Sequence, residues 1–371
     1  MALRRLKGYP LPVSSLLVAI IVLTSLLGGC AGQATPPAAK EAPKAQVQDT
    51  TPKPSTNAAQ TPVTMKVAWT PTMSFAAFYV AMDKGYFKDA GINIEPETFK
   101  SAQDSIAFLA KGDIQAVLGA PSAGSLNGFH DGMDIRVVSS VTYINKDYPA
   151  LCLVVRKDLL DSGKVKDVKD LKGLKVAVTG QGVTSEYWIV KALEKAGLTF
   201  KDVEFVYMGY PEMVVALTNK AIDAAQLTPP NDTKAETLGV GKITLRDPGA
   251  EILNTVLYYN GKFIKDQPEV AKKFLTTLLK TTREIYGKNF LKDEYVKIYS
   301  KWTKVSEEDI KKSAMYFYDP NGRISPTALA DQQSVWIKMG YLKYTTPLDL
   351  SKYVDNSILD ASLKDLREFK P

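Results

Sequence analysis

The sequence is poor in the side chains that metal and acid–base chemistry most often use. It has one histidine, His130, and two cysteines, Cys30 and Cys152, in 371 residues. A site that needs several soft ligands or a histidine base therefore lacks its residues. We predict no metal site, no cofactor and no enzyme. Cys152 lies in the apolar run 151–154, which predicts a buried strand thiol.

A clear excess of one charge is also lacking once the first 64 residues are set aside. The net charge of +7 falls to +3 for residues 65–371, which hold 41 basic and 38 acidic residues and no basic run. This balance indicates no nucleic-acid surface. The segment "TGQGVTSE" at 179–186 lacks the lysine of a phosphate-binding P-loop, so nucleotide hydrolysis is not predicted.

The amino terminus has the pattern of a lipoprotein leader. Basic residues precede an apolar stretch over 11–27, and "LLGGC" places two glycines directly before Cys30. The alternative is an uncleaved anchor, because the apolar run approaches the ~20 residues of a spanning helix. A cysteine at this point is the acceptor in bacterial lipoproteins. We therefore predict a signal peptide over 1–29 and lipidation of Cys30.

The next segment, 31–64, is rich in Pro, Ala, Thr and Gln and contains no aromatic residue. It cannot bury enough apolar surface to offset its chain entropy. Residues 30–64 are therefore predicted to be a lipidated cysteine with a flexible linker, which anchors an extracytoplasmic body to the cell membrane. That body, about 300 residues long, is the size of two lobes.

A repeat divides the body into two halves. "KVAWT" at 66–70 returns as "KVAVT" at 175–179, an offset of 109, and "IQA" at 114–116 returns as "IDA" at 222–224, an offset of 108. Between the paired motifs, helix-like and strand-like runs alternate. Each half is therefore predicted to be βαβαβ with a mostly parallel sheet and ligand loops at the strand C-termini.

Two such lobes would face each other across a ligand cleft. Passages between them are predicted at 148–156 and 254–260, which are apolar and β-prone and would form a two-strand hinge. Lobe 1 is then 65–150 plus 256–371, and lobe 2 is 151–255. Helical segments that should return to lobe 1 lie at 268–286, 306–318 and 325–342.

The ordered motifs resemble those of the substrate-binding proteins of ABC importers for nitrate, sulfonates, taurine and thiamine pyrimidines. The resemblance covers the chain from Met65 onward and implies an α/β fold of the two-lobed, periplasmic-binding-protein type II class. It also implies a small-solute receptor that delivers its ligand to an ABC permease with a cytoplasmic ATPase. It rests on "FYVAMDKGYFKDAGINIE" (78–95), "SIAFLAKGDIQAVLGAPS" (105–122), "VKDLKGLKVAV" (168–178), "MVVALTNKAIDAAQLTPP" (213–230) and "YNGKFIKDQPEVAKKFL" (259–275).

Candidate ligand contacts lie where the repeated strands end and the following helices begin. In "TGQGVTSEYW", two glycines and exposed backbone N–H groups offer a cradle for an acidic or carbonyl oxygen. The predicted contacts are Trp69, Thr70, Met73, Ser74, Phe75, Gly119, Ala120, Pro121, Ser122, Tyr143, Thr179, Gly180, Gly182, Thr184, Ser185, Gly209, Tyr210, Glu212, Thr228 and Asn231.

The candidate loops carry aromatic residues, among them Trp69, Phe75, Tyr143, Tyr187 and Tyr210, and no arginine. Flat apolar walls with a few hydrogen bonds suit a planar ring, whereas a bidentate clamp on an anion is missing. We expect a compact aromatic or heterocyclic solute, such as a thiamine-type pyrimidine or an aromatic carboxylate. Alkyl sulfonate, taurine or nitrate is the alternative, and a thiamine-pyrimidine synthase is the alternative of another class. A monomer is expected.

Substitution of Cys30 by serine tests the lipoprotein prediction. Cys30→Ser removes the thiol that accepts the lipid, so the protein should no longer be acylated and should be released from membranes or kept as a precursor. Detergent partitioning and intact mass measure both effects. A variant that matches the wild type in both would show that the lipoprotein assignment is wrong.

Overall fold

The protein contains two β-sheets flanked by helices. The computed structural model describes residues 62–99, 102–246, 249 and 251–370, so the predicted leader, Cys30 and nearly all of the linker lie outside the described residues. The strands are β1 (Val63–Trp69), β2 (Ile92–Thr98), β3 (Ala116–Gly119), β4 (Ile135–Ile144), β5 (Cys152–Arg156), β6 (Lys175–Val178), β7 (Glu204–Tyr207), β8 (Ala224–Leu227), β9 (Gly241–Leu245), β10 (Ile252–Asn260) and β11 (Phe317–Tyr318).

The helices alternate with the strands in both halves and dominate the carboxyl-terminal third. Within the described residues, no helix is long and apolar enough to cross a membrane. The α-helices are α1 (Ala76–Asp83), α2 (Tyr86–Asp89), α3 (Ala102–Lys111), α4 (Ala123–His130), α5 (Lys157–Asp161), α6 (Thr184–Lys195), α7 (Tyr210–Thr218), α8 (Asn231–Thr237), α9 (Gly261–Asp266), α10 (Pro268–Glu284), α11 (Asp293–Thr303), α12 (Glu307–Lys312), α13 (Pro326–Lys338) and α14 (Ser357–Leu366).

The two sheets have matching topologies, which confirms the repeated βαβαβ pattern. The first sheet has the order β11-β4-β10-β3-β1-β2, and the second has β7-β6-β8-β5-β9. Each repeated strand pairs in parallel with two neighbours: β1 with β2 and β3, and β6 with β7 and β8. Antiparallel pairing adds β10, β4 and β11 to the first sheet and β5 and β9 to the second.

The same side-chain hydrogen bond fixes the strand register in both halves. The amide N–H of Lys66 donates to Gln115 Oε1 at 2.8 Å, and that of Lys175 donates to Asp223 Oδ2 at 2.9 Å. Gln115 and Asp223 are the middle residues of the repeated "IQA" and "IDA" motifs. The repeat therefore preserves the alignment of β1 with β3 and of β6 with β8.

Two segments differ from the predictions. Residues 254–260 do not cross between the sheets; they belong to β10, which is buried throughout between β3 and β4. The chain passes from the second sheet to the first before Ile252. The helix predicted over 306–318 ends at Lys312, and Phe317–Tyr318 forms β11 against β4, because the β-prone aromatic run gains strand partners there.

An aromatic cluster anchors the carboxyl-terminal helices to the first sheet. Trp69 lies edge-on to Tyr79, with ring centroids 5.2 Å apart, and to Trp302 of α11 at 5.4 Å. Tyr79 and Trp302 stack at 5.4 Å with an interplanar angle of 6°. Because Trp69 is buried at the end of β1, its ring joins this strand to α1 and α11.

Truncation of Trp69 should therefore destabilise the fold. We expect Trp69→Ala to lower the free energy of unfolding by about 3–5 kcal/mol, the usual cost of removing a buried Trp side chain. Urea unfolding followed by circular dichroism measures the change. Phe108→Ala is the control, because Phe108 is 46% exposed, and its loss should be much smaller. Equal losses in the two variants would contradict the structural role of Trp69.

Candidate functional site

The residues that directly follow the repeated strands meet at one cavity. Thr70 follows β1 and Ala120 follows β3 in the first sheet, whereas Thr179 follows β6 and Thr228 follows β8 in the second. All four line the cavity. Neighbouring parallel strands end at the same edge of a sheet, and here the ends of the two sheets face each other.

The cavity is small, polar and without charged lining side chains. It encloses about 50 Å³, which is room for a few water molecules. Eleven of its fifteen lining residues carry a hydroxyl or an amide. The lining consists of Thr70, Thr72, Ser74, Phe75, Ala120, Leu151, Thr179, Val183, Thr184, Ser185, Tyr210, Thr228, Asn254, Thr255 and Tyr316.

Some of these polar groups are paired with one another, and two are not. Thr179 Oγ1 lies 2.8 Å from Ser185 Oγ, and Asn254 Nδ2 donates to Ser74 Oγ at 3.2 Å. The Thr228 and Tyr316 hydroxyls are buried and lie near each other, but neither makes a hydrogen bond of ordinary geometry among the described residues. A buried hydroxyl without a partner carries a desolvation cost that a polar ligand atom would remove.

The structure brings nine of the predicted contacts into this cavity. Gly209 and Glu212 line a groove beside it, which Thr70 and Tyr210 also line. The nine residues are Thr70, Ser74, Phe75, Ala120, Thr179, Thr184, Ser185, Tyr210 and Thr228.

Several other predicted contacts make bonds within the protein instead. The backbone N–H of Met73 donates to Pro229 O at 3.3 Å, and the backbone N–H of Asn231 donates to Thr228 O at 2.9 Å. The side chain of Ser122 caps the start of α4. The Tyr143 hydroxyl donates to Arg323 O at 2.7 Å. Residues of the predicted set that line neither the cavity nor the groove are Trp69, Met73, Gly119, Pro121, Ser122, Tyr143, Gly180, Gly182 and Asn231.

The aromatic walls of the cavity also differ in part from the predicted ones. Phe75 and Tyr210 line it as expected, and Tyr316 supplies a third ring. Tyr187 was among the aromatic residues predicted in the candidate loops, but it does not line the cavity. Its hydroxyl donates a hydrogen bond to the Asp331 carboxylate.

Six cavity residues were not predicted: Thr72, Leu151, Val183, Asn254, Thr255 and Tyr316. Thr72 and Val183 lie next to predicted contacts in the same turns, so their positions in the sequence could have identified them as cavity residues. Leu151 directly precedes β5. Asn254 and Thr255 lie within β10 and Tyr316 directly precedes β11, and neither strand belongs to the repeat.

Gly182, one of the two glycines of the predicted cradle, is bonded within the protein itself. Gly182 has a φ of +65°, and a Cβ there would lie 2.5 Å from Ala123 Cβ, so only glycine fits. Its carbonyl accepts the Ala123 amide at 2.6 Å, which joins this turn to α4. Its own N–H donates to Glu186 Oε2 at 2.6 Å. Gly182 therefore has no free backbone N–H for a ligand in this conformation.

Glu186 is the buried acid behind this turn. Its Oε1 accepts hydrogen bonds from Tyr207 at 2.9 Å and Tyr341 at 3.1 Å. Burial is the largest influence and raises the pKa of the Glu186 carboxyl, although the hydrogen bonds from Gly182, Tyr207 and Tyr341 oppose the shift. Glu186 does not line the cavity.

Comparison with known proteins establishes the family. The family model described as "NMT1/THI5 like" matches residues 72–288. The chain therefore belongs to the NMT1/THI5-like family. It is also 23% identical over 265 residues to the riboflavin-binding protein RibY of Chloroflexus aurantiacus, covering 70% of this chain and 71% of the relative.

An enzyme is among the relatives. The chain is 25% identical over 241 residues to the 4-amino-5-hydroxymethyl-2-methylpyrimidine phosphate synthase THI11 of Saccharomyces cerevisiae, covering 59% of this chain and 66% of that protein.

Solved structures show the same fold. The periplasmic nitrate-binding protein NrtA of Synechocystis PCC 6803 superimposes with a TM-score of 0.69 at 18% identity, covering 82% of this chain and 89% of that one. The alkanesulfonate-binding protein SsuA of Xanthomonas axonopodis pv. citri gives 0.62 at 13%, covering 81% and 98%. The desulfurization enzyme DSZB gives 0.59 at 15%, covering 82% and 100%. The chain has the two-lobed α/β fold of type II periplasmic binding proteins.

Replacement of Glu186 should change how stability depends on pH. The pKa of Glu186 is higher in the folded protein than in the unfolded chain, where it is about 4.3, so the unfolded chain loses this proton first as the pH rises. The free energy of unfolding of the wild type therefore falls as the pH rises from the unfolded-state pKa to the folded-state pKa. Glu186→Gln has no such proton. Its free energy of unfolding, relative to the wild type, should therefore rise between pH 4.5 and pH 7 in urea titrations.

Tyr341→Phe provides a second variant for the same experiment. It removes one hydrogen bond that lowers the Glu186 pKa, so the fall in stability with rising pH should become larger than in the wild type. A constant difference between wild type and Glu186→Gln across this pH range would show that burial of the acid has no such effect.

Proposed function

We propose that the protein is an extracytoplasmic solute-binding lipoprotein of an ABC importer. It captures a small organic solute between its lobes and delivers it to a permease that works with a cytoplasmic ATPase. The observation that supports this most is the polar cavity where the repeated strand ends of both sheets face each other, with two unpartnered hydroxyls in its wall. Cys30 carries the lipid, and the protein acts as a monomer.

The proposed solute is a compact, uncharged aromatic or heterocyclic compound, such as a thiamine-type pyrimidine. The lining residues of the cavity have no charge to balance an anion, and Phe75, Tyr210 and Tyr316 supply rings. The hydroxyls of Thr228 and Tyr316 would bond the polar edge of the solute. Because the cavity has room for only a few waters, a ring enters when the lobes open by the predicted hinge.

Anionic solutes are the second candidate. NrtA and SsuA, named for nitrate and alkanesulfonate binding, share the fold. The anionic group of taurine, of nitrate or of an aromatic carboxylate would have to rest on backbone N–H groups of the 180–185 turn. The Gly182 N–H is bonded to Glu186, and a carboxylate at the start of α6 already offsets the helix dipole, so we favour an uncharged solute.

An enzymatic role, as in THI11 or DSZB, has less support. The Cys152 thiol is fully buried in β5, and burial raises its pKa well above the usual value, which disfavours the reactive thiolate. The histidine ends α4, where it bonds to Asp131 at the surface. Neither residue lines the cavity.

Removal of the two unpartnered hydroxyls tests the binding role. Thr228→Val and Tyr316→Phe should each weaken binding about three- to tenfold, the value of one hydrogen bond to the ligand. Their free energies of unfolding without ligand should be unchanged or higher, because each change removes a buried polar group that has no partner. Calorimetric titration with a thiamine-type pyrimidine, riboflavin, benzoate, taurine and nitrate measures the affinities.

Two matched controls separate binding from stability. Thr276 and Tyr299 also carry buried hydroxyls without partners, and neither lines the cavity. Thr276→Val and Tyr299→Phe should therefore leave affinity unchanged. Wild-type binding that none of the cavity variants weakens would refute this site. Tight binding of taurine, nitrate or benzoate, with no binding of the pyrimidine or riboflavin, would refute the uncharged ligand while preserving the receptor role.

A further inference from the structure

A groove lies beside the cavity and is lined by residues from both sheet halves. It encloses about 260 Å³, compared with about 50 Å³ for the cavity. Thr70 and Tyr210 line both spaces, so the two share a wall. A ligand bound against Tyr210 in the cavity would therefore lie next to the groove.

The groove has apolar walls from both lobes. Pro71 and Phe99 come from the first sheet side, and Pro211 comes from α7 on the second. Phe99 is held in place because its amide donates to Trp69 O at 3.0 Å and its ring lies 5.8 Å from that of Phe108. These walls carry one phenyl ring and two proline rings, which can pack against the faces of a ring system, whereas the cavity offers mainly hydroxyls.

The charge of the groove is negative. Glu212 is the charged residue among the described residues that line it, and its Oε2 accepts the Gly209 amide at 3.0 Å. The carboxylate is therefore held at the groove by the first turn of α7. A phosphate or carboxylate on the outer part of a ligand would be repelled there.

We propose that the groove is a second compartment of the binding site, which selects an uncharged ring system that is wider than the cavity and rejects its phosphorylated form. The small polar edge of the solute then bonds to Thr228 and Tyr316, while its outer rings lie between Phe99 and Pro211. This inference rests on the proposed solute-binding function and extends the ligand class from single-ring solutes to multi-ring, uncharged heterocycles.

Three probes and a matched pair of variants test the groove. The probes are riboflavin, its phosphate ester flavin mononucleotide, and a single-ring thiamine-type pyrimidine. Phe99→Ala should weaken riboflavin binding about tenfold and pyrimidine binding less than twofold, because only the larger ring system reaches the wall. Phe108→Ala removes a neighbouring ring that does not line the groove, so both affinities should stay within about twofold.

Glu212 is tested with the charged probe. The wild type should bind riboflavin more tightly than flavin mononucleotide, and Glu212→Gln should reduce this preference by a few fold. The Gln side-chain oxygen can still accept the Gly209 amide, so the turn is kept while the charge is removed. An affinity ratio that is the same in wild type and variant would overturn the charge selection.

The outcomes distinguish this inference from the function it rests on. Equal losses of riboflavin and pyrimidine binding in Phe99→Ala, or equal effects of Phe99→Ala and Phe108→Ala, would overturn the second compartment and leave the receptor role intact. Binding of taurine or nitrate without binding of either ring compound would also overturn it and leave the receptor role intact. A wild-type protein that binds none of the compounds would overturn the proposed function as well.

Discussion

The position of the binding cavity depends on the register of two parallel strand pairs, β1 with β3 and β6 with β8. One side chain in each half accepts a backbone N–H of the neighbouring strand: Gln115 bonds Lys66 of β1, and Asp223 bonds Lys175 of β6. Because each pair is aligned in the same way, the strands end level with one another. Residues one step beyond the strands, such as Thr70 and Thr179, then meet across the cleft without any long loop to position them.

This dependence explains which part of the site could be predicted from the sequence. The repeat identified both the strands and their ends. It therefore also identified the residues that directly follow these strands, which are Thr70, Ala120, Thr179 and Thr228. Tyr316 has no counterpart in the repeat. The aromatic run 316–318 is compatible with the buried face of a helix and with a strand. The strand forms here because β11 pairs with β4, which the local sequence does not indicate.

Trp69 shows how adjacent residues can have different roles. Successive side chains of a strand point to opposite faces, so a residue next to Thr70 need not face the cavity. Its large ring is buried against Tyr79 and Trp302 instead. The sequence indicated that aromatic rings are available for a ligand. Which of these rings face the cavity depends on the alternation of side chains along a strand and on packing against α11, which is distant in the sequence. The rings at the cavity are Phe75, Tyr210 and Tyr316.

The fold alone does not determine the charge of the solute, because helix N-termini bind anions only when their N–H groups are free. At α4, the Gly124 amide donates to Gln103 and the Ser125 amide donates to Ser122. At α6, Glu186 accepts the amide of the preceding turn and places a carboxylate against the helix dipole. At the Gly182 N–H and at these two α4 amides, an anion would therefore replace a hydrogen bond that the protein already makes. Ligand choice within this fold thus depends on which side chains cap the helices that face the cleft.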